Sequence, residues 1–161
     1  QYAPNPLGWV DPWGLMKCSN PPKGRAINRT VYRFEEPARM NTTWTVHKWN
    51  VGANHRYTEK GLGGVYGANS QKTALAEVNA WKVDLSTRVL ISKKVQLNNV
   101  LDLTHPNVRD QLGVSLKDIT GSEYDVTHQI GAWAKSQGYD GILAPSARNS
   151  TGSNLISFLG F

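Results

Sequence analysis

The sequence predicts an α+β fold, a mostly antiparallel β-sheet core with two principal flanking helices. Three observations carry this expectation. Apolar residues recur at helical spacing in two windows, 70–81 and 126–137. Short apolar or alternating runs at 31–34, 83–103, 141–144 and 154–158 have strand texture. With 161 residues, 39% of them apolar and six tryptophans among them, the chain has enough apolar surface for one core and not for two.

Residues 1 to 30 are rich in Pro and Gly (Pro4, Pro6, Gly8, Pro12, Gly14, Pro21, Pro22, Gly24). These residues break regular elements, so residues 1–30 are expected to be a tail and linker, and 31–161 the folded domain. Val31 to Phe34 reads as a strand, and the polar and aromatic stretch through Tyr57 as loops with a short strand. Gly61 to Tyr66 reads as a glycine turn entering another short strand. From Ser70, an N-cap residue, to Trp81, the residues Ala74, Leu75, Val78 and Trp81 form one apolar helix face. Val83 to Leu103 alternates in polarity and reads as a hairpin of two strands turning near Lys93 and Lys94. Pro106 to Leu112 is a short helix. Val126 to Gln137 is a longer one, with Ile130, Trp133 and Ala134 on its apolar face and Gly138 placed to stop it. Gly141–Ala144 and Asn154–Phe158 are apolar strands joined by a polar loop holding Ser146, Arg148 and Asn149.

Composition narrows the chemistry. The single cysteine, Cys18, offers neither an internal disulfide nor a zinc cage. His47, His55, His105 and His128 are dispersed, no carboxylates cluster, and Gly-x-Ser-x-Gly is absent, so metallohydrolase and serine hydrolase are set aside and no metal is expected. A histidine-based nuclease stays open. No window reaches the roughly 20 apolar residues that cross a bilayer, and no basic segment followed by an apolar one opens the chain. No membrane partner is expected, and export uses other means. The net charge of +6 would attract polyanions or phosphate-bearing ligands, but the basic residues are scattered and do not choose among them.

The segment from Tyr2 to Leu15, and above all its ending Asp11, Pro12, Trp13, Gly14, Leu15, resembles the end of the core of rearrangement-hotspot (Rhs) proteins. In that family a β-shell encloses a C-terminal toxin and releases it by autocleavage just after this motif. The resemblance implies that residues 1–15 are the end of the Rhs core with its autocleavage motif, and that a secreted antibacterial payload begins at residue 16 with a linker over 16–30, of the kind used in interbacterial competition and type VI secretion. It also implies delivery into the cytoplasm of a target cell, an Rhs shell before release, and a cognate immunity protein.

Within the payload stand Tyr32-Arg33-Phe34, His55-Arg56-Tyr57, Gly64 to Ser70 with Tyr66 between them, Thr73 to Glu77, Gly138 to Ser146, and Asn154 to Phe158. Their order and spacing resemble the RES domain, a family related to ADP-ribosyltransferases whose members consume NAD as toxins. The resemblance implies a split, mostly antiparallel sheet around an NAD cleft, with NAD as substrate.

Breaking the nicotinamide–ribose bond passes through an oxocarbenium-like state, so a site must hold the dinucleotide and favour positive charge. On the resemblance, Glu77 is the catalytic acid that accepts from a ribose hydroxyl and stabilises the developing cation, and Ser146 orients it or the substrate amide. Arg33 and Arg56 would bind phosphate or ribose oxygens with planar forks. Tyr66 would stack on nicotinamide, and Asn154 would add a polar contact. Taken singly, Glu77 reads as a solvated helix acid, the arginines as surface residues, Tyr66 as core, and Ser146 and Asn154 as turn residues.

Two outcomes share this site. One is transfer of ADP-ribose to a macromolecular acceptor in the translation apparatus, an elongation factor or ribosomal RNA, and the basic charge leans the reading that way. The alternative is an NAD glycohydrolase or phosphorylase that depletes NAD. Arginine-modifying transferases place Glu or Gln two residues before the catalytic Glu, and Leu75 stands there instead. A third reading, a non-catalytic RNA-binding domain, rests on the charge and on Trp44, Lys48 and Trp49.

Overall fold

In the computed structural model, which describes residues 20–161, five strands close into one barrel in the order β1-β2-β5-β4-β3. The Asp11–Leu15 motif and Cys18 lie outside the described residues. β1 (Arg25–Glu35) begins inside the stretch expected to be linker. Its apolar alternation starts before Val31: Ile27 and Val31 are both buried and point to the barrel interior. The ladder with β3 (Val89–Asp102) runs antiparallel from Arg25 opposite Val100 to Glu35 opposite Val89.

That ladder overturns the expected hairpin at 83–103. Lys93 and Lys94 sit in mid-strand, opposite Val31 and Thr30, with their side chains exposed. A tight hairpin needs residues that tolerate positive φ, and Ser92-Lys93-Lys94-Val95 supplies none. β1 meanwhile offers a partner along nearly the whole strand. The start of the predicted hairpin is a 3₁₀ turn, Leu85–Thr87, nucleated by Asp84, whose carboxylate accepts from the Ser86 amide at 3.0 Å.

The stretch from 36 to 57 contains no strand. It holds a 3₁₀ turn at Pro37–Arg39 and α1 (Lys48–Gly52), capped by His47, whose ring accepts from the Trp49 amide at 3.3 Å. β2 (Val65–Ala68) follows the glycine turn, and α2 (Gln71–Ala80) starts at Ser70, whose side chain accepts from the Thr73 amide at 3.1 Å. The buried face of α2 is Thr73 and Ala74, while Leu75 and Trp81 are exposed, so this helix does not rest on the apolar stripe its sequence suggests. α3 (Pro106–Leu112), α4 (Leu116–Thr120) and α5 (Asp125–Ser136) then lead to β4 (Gly141–Pro145) and β5 (Ser153–Ser157). α5 ends at Gly138, which takes φ +85° as a C-terminal glycine does.

Two apolar clusters hold these layers together. Inside the barrel, Ile27, Val31, Val95, Leu97, Val100, Leu143 and Leu155 pack against one another. On the outer face, Ile142 and Ile156 meet Ile130, Trp133 and Ala134 of α5. Alternation along β4 and β5 explains both: Leu143 stands opposite Leu155 and faces inward, and Ile142 stands opposite Ile156 and faces the helix. Each such fully buried aliphatic side chain stabilises by about 1.5–3 kcal/mol.

The expected sheet is mostly antiparallel: among the described residues β3–β4 is the one parallel pair, and the five strands close into a single sheet. The closure is narrow, however. β1 and β2 meet at one register pair, Tyr32 opposite Ala68. At this seam a Cβ on Gly67 would lie 2.6 Å from that of Val31, so only glycine lets the two strands approach. Beyond the pair the strands diverge and frame a cavity.

Candidate active site

The cavity is lined by Arg33 of β1, Tyr66 of β2, Glu77 of α2, Asn154 of β5 and Arg56 from the loop before β2. Ser146, nearly inaccessible, lies directly behind Glu77. All six residues singled out from the sequence are therefore brought to one place, from six separate parts of the chain.

Glu77 is half-buried, on the second turn of α2. Its Oε1 accepts two bonds, from Ser146 Oγ at 2.8 Å and from Asn154 Nδ2 at 2.8 Å. Its other carboxylate oxygen has no partner among the described residues. Ser146 Oγ in turn accepts from the amides of Arg148 and Asn149, both at 3.1 Å. A carboxylate so held presents a fixed negative charge edge to the cavity, which suits it to stabilise a developing cation.

A second polar chain fixes α2 against the same loop. Thr73, one helical turn before Glu77 and fully buried, donates to Asn69 Oδ1 at 2.8 Å and accepts from Asn149 Nδ2 at 3.0 Å. Asn69 Oδ1 also accepts from the Ser153 amide at 3.1 Å. Gly152 completes the fit, since a Cβ there would lie 2.2 Å from Thr73 Oγ1. Neither Thr73 nor Asn149 was singled out as functional from the sequence. Their partnership spans 76 positions and leaves no local signal.

Arg33 donates to the Tyr66 carbonyl at 3.4 Å and lies 3.4 Å from Glu35 Oε2. Burial pushes its guanidinium below the usual value, and Glu35 works against that shift. Glu35 is itself buried beneath the site. Burial alone would raise its carboxyl, but the Thr43 hydroxyl at 2.5 Å, the Glu36 amide at 2.9 Å and the Arg33 guanidinium outweigh it and hold the group below the ordinary carboxylate range.

Arg56 lines the cavity, yet one of its nitrogens is engaged elsewhere. Nη1 donates to the carbonyls of Gly121 at 2.5 Å and Ile119 at 3.3 Å, at the C-terminal end of α4, and the guanidinium sits 4.6 Å over the Tyr124 ring. These contacts tie Arg56 to the end of α4 through Nη1 alone. Tyr66 is also anchored. Its hydroxyl accepts from the Tyr57 amide at 3.0 Å and meets Thr58 Oγ1 at 3.2 Å, and burial raises it to about 12. Its ring lies 5.5 Å from that of His55, tilted by 55°. Desolvation, and then the charge of Arg33, push the His55 imidazole below its usual value.

His55, Tyr124, Trp81 and Arg148 line the cavity as well. The Arg148 side chain is exposed and has no ion-pair partner among the described residues. The aromatic and lysine group that suggested RNA does not form one surface. Trp44 packs edge-on against Phe161 at 5.9 Å, whereas Trp49 is 64% exposed with Lys48 above it.

Comparison with known proteins adds three findings. The family model described as the RES domain matches residues 30–159. A probable NAD(+) phosphorylase of Mycobacterium tuberculosis is 33% identical over 101 residues, 60% of this chain and 48% of that protein, so the match spans about half of the relative's length. A chain in the crystal structure of the M. tuberculosis MbcT–MbcA toxin–antitoxin complex has the same fold, with a TM-score of 0.71 at 21% identity over 89% of this chain and 81% of that one.

Proposed function

The chain belongs to the RES-domain family, and from that premise we propose that it is a toxin that consumes NAD, breaking the nicotinamide–ribose bond and passing the ADP-ribose to phosphate or water. The observation that carries this reading is Glu77, a carboxylate locked on one oxygen by Ser146 and Asn154 in a cavity that also holds three arginines, Arg33, Arg56 and Arg148.

The chemistry suits that arrangement. As the bond between the nicotinamide nitrogen and the ribose C1 carbon breaks, the electron pair leaves with nicotinamide and positive charge develops on the sugar. The Glu77 carboxylate stabilises that charge without reorganising, because its donors already fix it. An oxygen of phosphate or water then bonds to C1; water gives up a proton in doing so. The arginines favour an anionic nucleophile and the anionic dinucleotide alike.

The name of the phosphorylase relative supports depletion of NAD over transfer to a macromolecule. Leu75, where an arginine-modifying transferase would place Glu or Gln, is 38% exposed and offers no polar contact to an acceptor. Transfer to an elongation factor or ribosomal RNA has no support of its own. A cognate inhibitor is supported by the toxin–antitoxin complex to which the fold neighbour belongs. Release from an Rhs shell after Leu15, followed by action in the cytoplasm of a recipient cell, rests on the Asp11–Leu15 motif.

The deciding experiment incubates the protein with labelled NAD in three mixtures: buffer, buffer with inorganic phosphate, and a ribosome-containing lysate. Nicotinamide release that rises with phosphate and yields phosphorylated ADP-ribose is expected. Release unchanged by phosphate, yielding free ADP-ribose, would make the protein a glycohydrolase. Label retained on macromolecules would overturn depletion in favour of transfer, and no release would overturn the enzyme.

A further inference from the structure

A second concavity shares Pro145 with the Glu77 cavity and none of its other lining residues. Its walls bring together Arg25 and Arg29 from β1, Arg109 from α3, and Thr151 and Ser153 at the start of β5. The three guanidiniums are not equivalent. Arg25 pairs at 2.5 Å with Asp102, a buried carboxylate that also accepts from the amide and hydroxyl of Thr104. Arg29 and Arg109 are half-buried and have no carboxylate within ion-pair distance among the described residues.

Arg109 Nη1 donates to the carbonyls of Leu103 at 2.8 Å and Thr104 at 3.2 Å, which fixes the guanidinium and leaves its remaining nitrogens without an acceptor among the described residues. Among those residues Arg29 makes one side-chain hydrogen bond, a long one of 3.5 Å to Ser153 Oγ. Because that oxygen accepts from Arg29, the hydroxyl keeps its own proton for another acceptor. Two half-buried positive charges in one concave site, with no counter-ion among the described residues, are costly unless an anion joins them. Planar guanidinium forks match phosphate oxygens better than they match a halide.

We propose that this concavity binds a phosphate dianion, either free or as the terminal monoester of a nucleotide, between Arg29 and Arg109 with Ser153 as a further donor. The site is separate from the NAD cavity and does not rest on the NAD reading. It borders the 146–153 loop, whose first residue holds Glu77 and which runs into Asn154, so the bound anion steadies the segment that carries both of the carboxylate's donors.

Amide-resolved NMR titration separates this site from the cavity. With inorganic phosphate at constant ionic strength, the amides of Thr151, Gly152 and Ser153 should shift saturably. Arg29→Gln should weaken that binding at least tenfold, and Arg109→Lys, which keeps the charge but loses the fork, should weaken it several-fold. A parallel titration with adenosine monophosphate tells the sources apart: tighter binding at these amides than for phosphate points to a nucleotide ligand, equal or weaker binding to free phosphate. Shifts confined to residues of the Glu77 cavity, or shifts at 151–153 that neither substitution alters, would overturn the proposal. Should Arg29→Gln fail to fold, Arg109→Lys alone decides it.

Discussion

Ser146 Oγ donates to Glu77 Oε1 at 2.8 Å, and it has nowhere else to send its proton, because the amides of Arg148 and Asn149 already donate into its lone pairs. The direction of this hydrogen bond is therefore set by the loop backbone. Asn154 adds a second donor to the same carboxylate oxygen.

Removing either donor should loosen the acid without removing it. A hydrogen bond to a charged group contributes about 1.5–3 kcal/mol, so Ser146→Ala and Asn154→Ala should each lower the turnover of NAD by about 10- to 100-fold. Since both act on one oxygen, the double variant should lose less than the product of the two. Steady-state nicotinamide release measures this, and fully multiplicative losses would show that the two donors act independently.

Glu77→Gln keeps an oxygen to accept from Ser146 and Asn154 but removes the negative charge. Its unfolding temperature should match that of the parent, while nicotinamide release falls by roughly 10²–10³-fold, the scale of losing one preorganised electrostatic contact. Activity within tenfold of the parent would displace Glu77 from the central role.

Gly152→Ala tests the close fit between the loop and α2. The new Cβ would stand 2.2 Å from Thr73 Oγ1 and 2.9 Å from Asn149 Nδ2. Thr73 is fully buried and has no room to yield, so a destabilisation of about 1–3 kcal/mol is expected, with reduced activity as Glu77 shifts. Adding Thr73→Ala clears the space. Chemical denaturation should show the double variant less destabilised than the sum of the two singles.

Glu35 gives the fold a pH dependence of known sign. Its carboxyl is held lower in the folded protein than in the unfolded chain, so folding favours the charged form. That stabilisation is fully present above the ordinary glutamate range, and it is lost as the pH falls through the lowered folded value. Thermal unfolding of parent and Glu35→Gln should differ most near neutral pH and converge in acid. A gap that widens in acid would contradict the assignment.

Legibility in the sequence followed locality. The helix capped by Ser70, the helix ended by Gly138, and the two apolar strands after it are written in short-range patterns, and they appear within a residue or two of their expected ends. The six site residues rest instead on the resemblance of the ordered motifs to the RES domain, since no local pattern joins positions so far apart in the chain. What escaped was decided by partners distant in sequence. The 83–103 stretch alternates equally well as two strands or as one, and only the length of β1 resolves it. The exposed Leu75 and Trp81 mimic a buried stripe, because the helix is held instead by Thr73 and a loop 76 positions away. The bonds from Arg56 to the carbonyls of Ile119 and Gly121 have the same origin.

The β4–β5 hairpin pairs Ala144 with Asn154 and Pro145 with Ser153, so both donors to Glu77, Ser146 in its loop and Asn154 in β5, belong to one local hairpin. Hairpins of this kind close in about 1–10 μs, whereas the carboxylate must arrive from 69 and 77 positions upstream, against a larger loop-closure entropy. Loop-closure entropy thus favours bringing the two hydrogen-bond donors together before the acid reaches them. The converse bears on failure: lifting α2 off the sheet would carry the acid away from its donors while leaving the β4–β5 ladder itself untouched.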